Sequence, residues 1–323
     1  MKIPELENMP KVSVIIPIYN VEQYIERCAR SLFEQTLQQE IEYIFVNDCT
    51  PDNSMAVLAN VICDYPARTH QIRILHHNVN KGLPCARRSG LEAATGEYIV
   101  NCDSDDWIDR TMYQKMLEKA ESERLDMVVC GYSITDGTRI VSTKMNEYPG
   151  FRSVKRAIIA DQIPNYTCNK MIRRDLFNWI EEWPKYNLLE DVAIITPIAY
   201  HCESIGKIDE PLYFYYINNA SVYHSTKGRI RVEQIIANTN LAINHIRAFG
   251  GENEYRKELR HRKCLVKIVN SDLQWRDYIT TFPEVTFSLL FDTCLPISQK
   301  LGHITKCLGI RGISKLFRLR KKI

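Results

Sequence analysis

The feature that most constrains the fold is an alternation of apolar runs and amphipathic segments over residues 12–130. Residues 12–17 are almost continuously apolar, as expected of a strand buried on both faces of a sheet. Further strands are predicted at 42–46, 71–75, 97–102, 126–130 and 211–216. The helical periodicity between them begins near residues 22, 54, 85 and 112. This order predicts an α/β fold, with a mainly parallel sheet flanked by helices.

The last third of the chain has a different pattern. Residues 232–249 and 255–278 have helical periodicity, so we predict an α/β domain over 1–217 and a mostly helical region over 218–323. The formal net charge of +3 does not indicate nucleic-acid binding. However, residues 291–323 contain eight Lys or Arg and one acid, which predicts an anionic partner for this basic tail.

The cysteines and the N-terminal segment suggest a cytoplasmic location. The eleven cysteines are scattered and form no C-x-x-C pair, which argues against a zinc site and a disulfide framework. Residues 1–11 contain no apolar signal core, and we find no apolar stretch of about 18 residues. We therefore expect a cytoplasmic protein without a membrane span.

Polar residues follow three of the predicted strands. Tyr19 and Asn20 follow the first strand, Asn47 and Asp48 end the second, and an acidic cluster over 103–106 follows the strand at 97–102. Ligands of such sheets bind beyond the carboxyl ends of the strands. These three groups therefore form a candidate site.

The acidic cluster contains Asp103, Asp105 and Asp106. Carboxylates this close repel one another, and a bound cation removes that cost. Oxygen ligands suit Mg²⁺ or Mn²⁺. The alternative is that these aspartates cap the next helix, and the cluster alone does not decide between the two.

Three other segments carry charged candidates. Residues 80–88 place Lys81, Arg87 and Arg88 around a turn that opens a helix, which suits an anion but also suits a solvated loop. The pair at 190–191 offers a general base or a helix cap. His224 lies in a polar loop, as a surface residue or as a contact to metal or phosphate.

Missing motifs argue against several enzyme classes. No G-x-G-x-x-G follows the first strand, and no G-x-x-x-x-G-K-[ST] or G-x-S-x-G occurs. These absences argue against dinucleotide enzymes, P-loop NTPases and serine hydrolases of the nucleophile-elbow type.

Taken together, five segments resemble family 2 of the inverting glycosyltransferases, which have the GT-A fold, a Rossmann-like mainly parallel sheet. The matching segments are, in order, 12–20, 46–54, 80–87, 96–108 and 190–192. The resemblance covers residues 10–217 and leaves the last hundred or so without a match. Cys49, Arg88 and Cys168 depart from the family pattern, which leaves the donor sugar open.

The resemblance implies a nucleotide-sugar donor, UDP-linked, a saccharide or lipid-linked saccharide acceptor, and Mg²⁺ or Mn²⁺ as cofactor. Capsule, lipopolysaccharide or exopolysaccharide synthesis is the implied process. Tyr19 would pack on the nucleobase, and Asp48 would accept a hydrogen bond from an N–H of the base. Asp191 would be the catalytic base. The implied nucleotide-binding residues are Pro17, Tyr19, Asn20, Glu22, Asp48, Lys81, Gly82, Arg87, Asp103, Ser104 and Asp105. The residues implied to contact the donor sugar or the acceptor are Asn169, Lys170 and Glu190. The implied metal ligands are Asp105, Asp106 and, as a further candidate, His224.

Two other functions remain as alternatives. A nucleotidyltransferase would need a basic glycine-rich loop after the first strand, where this chain has Tyr19 and Asn20. A non-catalytic nucleotide-sugar-binding protein would have lost its base or its acidic cluster, and both are present.

The basic tail has apolar residues at helical spacing. They are Leu301, Ile304 and Leu308, followed by Ile313, Leu316 and Leu319. Gly309 and Gly312 interrupt the two stripes, so one continuous helix is not expected. The tail either lies on an anionic membrane at the inner face of the cell membrane or packs on the protein body.

Overall fold

A computed structural model describes residues 9–142, 153–218, 226, 228–269 and 274–308. The chain divides into two compact units. Unit 1 consists of Met1–Asn146, Tyr166–Asn187 and His201–Asn219. Unit 2 consists of Glu147–Asn165, Leu188–Tyr200 and Ala220–Ile323. The chain last passes from unit 1 to unit 2 close to the predicted boundary at 217, but two earlier segments also belong to unit 2.

Unit 1 contains one sheet, with nine strands among the described residues. They are β1 (Val12–Ile18), β2 (Ile41–Asn47), β3 (Ile72–His76), β4 (Tyr98–Asn101), β5 (Trp107–Ile108), β6 (Met127–Thr135), β7 (Ile140–Ser142), β8 (Lys170–Arg173) and β9 (Ile205–Tyr216). Their order is β3-β2-β1-β4-β8-β6-β9-β5, with β7 paired to β6.

The first four strands form a parallel half-sheet, as the sequence predicts. The rest of the sheet is mixed. Strand β8 is antiparallel to both β4 and β6, β9 is parallel to β6, and β5 and β7 are antiparallel to their partners. All of β1 is buried, which explains its nearly continuous apolar sequence.

Four α-helices of unit 1 lie where the periodicity predicts them. They are α1 (Ile25–Phe33), α2 (Ser54–Asp64), α3 (Leu83–Ala93) and α4 (Met112–Glu123). Helix α3 approaches β1 closely, because a Cβ added at Gly90 would lie 2.4 Å from Cγ2 of Ile15. Since Gly90 has no side chain, α3 lies directly over the strand, and its position on the sheet is fixed.

Unit 2 is helical in its described part. Its α-helices are α5 (Val154–Ile159), α6 (Glu190–His201), α7 (Gly228–Ala248), α8 (Arg256–Val269), α9 (Trp275–Thr280) and α10 (Ile297–Cys307). The last residue of α6, His201, belongs to unit 1. The predicted helix at 232–249 is confirmed, whereas the segment 255–278 contains two helices, α8 and α9. Leu188, Ile235, Cys264 and Leu289 belong to one apolar cluster in this unit.

Strands β5, β7 and β8 and helix α5 are short and were missed by the sequence analysis. Each has two to six residues, too few to show a period. Within the described ranges, no helix combines the length and the apolar character that crossing a bilayer would require.

Candidate active site

The loops that follow β1, β2 and β4 meet at one edge of the parallel half-sheet. The amide of Asp48 donates to the carbonyl of Ile18, at 3.0 Å, and joins the ends of β2 and β1. Ser104 Oγ donates to the carbonyl of Pro17, at 2.7 Å, and joins the acidic cluster to β1. The structure therefore brings together the three polar groups that the strand-end argument selected. The Ser104 hydroxyl is buried and serves this connection.

The loop after β1 presents one exposed aromatic ring. Tyr19 is 48% exposed. Asn20 has φ of 56°, in the left-handed region, and its amide donates to Thr50 Oγ1, at 2.8 Å. The Glu22 carboxylate accepts from the amide and the side chain of Asn53, at 3.1 and 3.2 Å. Of these predicted residues, Tyr19 is placed to contact a ligand, while Asn20 and Glu22 hold the loops after β1 and β2 together.

Asp48 is buried and organises the loop that precedes α3. Its Oδ1 accepts from the amide of Lys81, at 2.8 Å, and its Oδ2 accepts from the amide of Gly82, at 2.8 Å. His77 Nδ1 lies 2.6 Å from Oδ1, and His77 Nε2 lies 2.9 Å from Ser89 Oγ. Gly82 has φ of 87°, which favours glycine. The carboxylate thus ties the end of β2 to the start of α3.

Helix α3 points Arg87 at the acidic cluster. Arg87 is only 5% exposed, and its Nη2 donates to Asp103 Oδ1 at 2.7 Å. The Asp103 side chain is 30% exposed. The neighbouring Arg88 instead pairs with Glu92 on the exposed face of the helix. Of the cations predicted around this turn, Arg87 therefore reaches the acidic cluster, while the amide of Lys81 bonds to Asp48.

Asp106 is placed differently from its prediction as a metal ligand. It is 1% exposed, its Oδ2 accepts from the Tyr213 hydroxyl at 2.5 Å, and its Oδ1 accepts from the Tyr216 amide at 2.7 Å. Burial raises its pKa well above the usual range, and the charges of Asp105 and Asp103 add to that effect. Because Asp106 is almost fully buried and both of its oxygens accept hydrogen bonds inside the protein, a cation has less access to it than to the partly exposed Asp103 and Asp105. It fixes the acidic cluster to β9.

Asp105 is the better candidate for a cation. Burial, together with the charge of Asp103, raises its pKa to about 6. Its Oδ2 accepts from Asn218 Nδ2 at 3.2 Å, a long bond. Its main-chain carbonyl accepts from Arg27 Nη2 at 2.8 Å. A carboxylate that is costly to ionise beside a second carboxylate is stabilised by a divalent cation, so the residues present fit a metal.

Asn169 and Lys170 do not line an open site, although the resemblance implies it. Both are fully buried. Lys170 Nζ donates to the Tyr166 carbonyl at 2.8 Å and to Asn169 Oδ1 at 2.9 Å, and Asn169 Nδ2 donates to the Cys130 carbonyl at 2.7 Å. These bonds join β8 to β6, which argues against direct contact between either residue and a donor sugar.

The pair Glu190 and Asp191 begins α6 in unit 2. Glu190 is buried, whereas Asp191 is partly exposed. The residues before the helix are held in place, because Asn238 Nδ2 donates to the Leu188 carbonyl at 2.8 Å. Of the two carboxylates, Asp191 is the more accessible. His224 lies outside the described residues.

Several residues that shape this site carry no signal in the sequence. They are His77 and Ser89 behind Asp48, and Tyr213, Tyr216 and Asn218 around the aspartates. The aromatic run at 211–216 predicted a strand, but its partner β5 lies over a hundred residues earlier. No local signal could show that the run faces the acidic cluster.

The model of glycosyl transferase family 2 matches residues 13–180, more than half of the chain. This chain belongs to that family, which confirms the resemblance. A protein of Bacillus subtilis strain 168, described as the uncharacterized glycosyltransferase EpsJ, is 34% identical over 232 residues. The match covers 66% of this chain and 63% of EpsJ, less than two thirds of that protein's length.

Two solved structures have a similar fold. The Staphylococcus aureus TarS fragment 1–349, in complex with UDP-GlcNAc, has a TM-score of 0.65 at 16% identity, over 95% of this chain and 91% of the other. The mannosyltransferase PcManGT of Pyrobaculum calidifontis, in complex with GDP-Man and Mn²⁺, has a TM-score of 0.59 at 15% identity, over 97% and 85%. These likenesses confirm the GT-A-like fold.

Proposed function

We propose that this chain is an inverting glycosyltransferase. It moves a sugar from a nucleoside diphosphate donor, UDP-linked, to a hydroxyl of a saccharide or lipid-linked saccharide during cell-surface polysaccharide synthesis. The observation that carries the proposal is the convergence of exposed Tyr19, the Asp48 loop, and Arg87 with Asp103 and Asp105 at one sheet edge of a family 2 chain. The description of EpsJ as a glycosyltransferase and the UDP-GlcNAc bound to TarS support it.

The residues of unit 1 fit a nucleoside diphosphate. Tyr19 offers a ring face for the base. Asp48 accepts three hydrogen bonds, and a carboxylate has about four lone-pair positions, so it has capacity for one base N–H. The N-terminus of α3, with the exposed Lys81 before it, favours phosphate. These groups would hold the donor from its base to its diphosphate.

Asp105 would hold Mg²⁺ or Mn²⁺, with Asp103 beside it. The partly exposed Asp105 carboxylate, whose pKa is raised to about 6, and the Mn²⁺ of PcManGT support this assignment. A cation bound there would neutralise the charge that develops on the leaving diphosphate. Asp106 keeps the cluster in place through its bonds to Tyr213 and Tyr216. Arg87 neutralises Asp103 and adds positive potential near the phosphates.

Asp191 would be the general base, on the match of 190–192 to the family pattern and on its greater exposure than Glu190. In a single displacement, the acceptor oxygen forms a bond to the anomeric carbon as the bond from that carbon to the diphosphate oxygen breaks. The hydroxyl proton passes to the Asp191 carboxylate, and the nucleoside diphosphate leaves with the electron pair.

The function is tested by release of nucleoside diphosphate from UDP-, GDP- and dTDP-sugars, with and without Mg²⁺ or Mn²⁺. We expect release from a UDP-sugar that depends on the metal. Release of pyrophosphate from a nucleoside triphosphate and a sugar 1-phosphate would instead show a nucleotidyltransferase. Binding of UDP-sugars without turnover, in the presence of candidate acceptors, would show a non-catalytic binding protein.

The base is tested by Asp191→Asn. We expect turnover to fall at least ~10³-fold, because the acceptor proton has no carboxylate to receive it, while donor affinity changes less than about threefold. Donor affinity is measured by calorimetry and turnover by diphosphate release. Asp209→Asn, which changes an exposed carboxylate on β9, is the control and should keep full turnover. Turnover retained by Asp191→Asn would remove Asp191 from the mechanism.

A further inference from the structure

Helix α10 packs on unit 2 through a polar face. His303 is buried, and its Nε2 donates to the Thr286 carbonyl at 2.8 Å. Its Nδ1 accepts from the Tyr278 hydroxyl at 2.6 Å. At the end of the helix, the Cys307 carbonyl accepts from Trp275 Nε1 at 2.9 Å. Burial lowers the pKa of His303, which keeps the ring neutral in this arrangement.

The apolar residues of α10 lie on a different face. Ile297, Leu301, Ile304 and Leu308 are spaced four, three and four residues apart, so they form one stripe along the helix. All four are exposed, with Ile297 and Leu308 the most exposed. On a helical projection the stripe lies on the order of 100° from His303. The predicted stripe of Leu301, Ile304 and Leu308 is therefore exposed. The helix packs on unit 2 through its polar and small residues.

Two exposed phenylalanines lie next to this helix. Phe287 and Phe291 are 81% and 78% exposed. Leu289, between them, is fully buried and anchors their short 3₁₀ turn. Phe287 directly follows Thr286, the residue that is hydrogen-bonded to α10. We call these two rings and the four residues of the stripe the apolar surface. Six large exposed apolar side chains within residues 287–308 favour an interaction site.

The charge around the apolar surface identifies its partner. Residues 293–323 contain eight Lys or Arg and no Asp or Glu, and Lys300 and Lys306 lie on α10 itself. Pairing two copies of the chain through α10 would bring Lys300 and Lys306 of both copies close together, on a helix that contains no acidic residue, which is unfavourable. An anionic bilayer instead offers acyl chains to the apolar residues and negative headgroups to the basic ones.

We propose that the apolar surface docks unit 2 onto an anionic membrane. Phe287, Phe291 and the α10 stripe insert among the headgroups, and Lys300 and Lys306 contact acidic lipids. The inference does not depend on the donor chemistry proposed above. If that chemistry holds as well, docking places the enzyme at the surface where a lipid-linked acceptor would lie.

The experiment is flotation of the full chain with vesicles of phosphatidylcholine, alone or in an equimolar mixture with phosphatidylglycerol. We expect flotation with the anionic vesicles, and its loss in high salt. The double variant Phe287→Ser/Phe291→Ser should bind the anionic vesicles at least about tenfold more weakly. The control Ile230→Ser/Val269→Ser removes two other exposed apolar side chains of unit 2 and should float like the unchanged chain.

A second variant and a second measurement keep the test decisive. Leu301→Ser/Ile304→Ser should also bind more weakly, and thermal unfolding followed by circular dichroism confirms that each variant is folded. Equal flotation by the chain and both folded variants, or none by the chain, would overturn the proposal. Sedimentation without vesicles provides a further check. A dimer that the phenylalanine variant loses would show that the surface binds a second copy, and would also overturn it.

Discussion

Arg87 in unit 1 and Arg262 in unit 2 are almost equally buried, but they face different partners. Arg87 faces the Asp103 carboxylate, which is partly exposed. Arg262 is 2% exposed and donates to the carbonyls of Ile158 and Ile159 at the end of α5, each at 2.8 Å. Carbonyls at a helix C-terminus need a donor whether or not a ligand is present. The pair of Arg87 and Asp103, by contrast, can open, so that the carboxylate binds a cation and the guanidinium binds a phosphate.

A second pair of charges, Lys267 and the partly exposed Asp105, differs in the same way. Lys267 in unit 2 donates to the carbonyls of Tyr278 and Thr281, at 2.8 and 2.6 Å. Asp105 in unit 1 has one long bond to Asn218 and a pKa raised to about 6. The difference teaches that burial alone does not mark a functional charge. What distinguishes the site is that Arg87 and Asp105 bond to side chains, Asp103 and Asn218, which can turn toward a ligand, whereas Arg262 and Lys267 bond to main-chain carbonyls.

The largest expected effect contrasts the two neighbouring aspartates. Asp105→Asn should lower metal-dependent turnover at least ~10³-fold and leave thermal stability equal or higher, because it removes a costly buried charge. Asp106→Asn should cost about 2 kcal/mol of unfolding free energy, because an amide cannot accept both existing hydrogen bonds. Metal titrations and urea denaturation measure the two effects. If Asp106→Asn lost its response to metal while Asp105→Asn kept it, the assignment of the two residues would be reversed.

The next effect contrasts the two arginines. Arg262→Met should lose about 2 kcal/mol of stability, because it leaves the Ile159 carbonyl at the end of α5 without its side-chain donor. Arg87→Met should lose about 1 kcal/mol, since Asp103 can turn to solvent, but it should raise the donor KM at least about tenfold. Denaturant unfolding and donor kinetics on both variants make the comparison. A stable Arg262→Met, or an Arg87→Met with an unchanged KM, would contradict the distinction between the two units.

The sequence analysis predicted the parallel half-sheet and its ligand edge because both depend on local pattern. Strand β1 is apolar at nearly every position, and Asp48 and Asp103 follow directly from the strand-end rule. Lys170 and Asp106 could not be placed in this way, since their burial comes from β8 and β9, which pair with strands far away in sequence. The stripe on α10 was found from its spacing, but spacing does not tell which face of a helix packs. That face is decided by His303 and its distant partners Tyr278 and Thr286.

The smallest expected effect concerns the hydrogen bonds behind Asp48, which the sequence did not reveal. His77 Nδ1 lies 2.6 Å from the carboxylate, and Ser89 Oγ lies 2.9 Å from the other ring nitrogen. If these residues position Asp48 and its loop, His77→Gln should raise the donor KM about fivefold with kcat nearly unchanged, and Ser89→Ala about twofold. Since a side-chain amide can make one of the two hydrogen bonds of His77, the donor KM of His77→Asn should lie between those of His77→Gln and His77→Ala. A fall in kcat at constant KM would mean that His77 acts in the chemical step, and would contradict its role as a residue that positions Asp48.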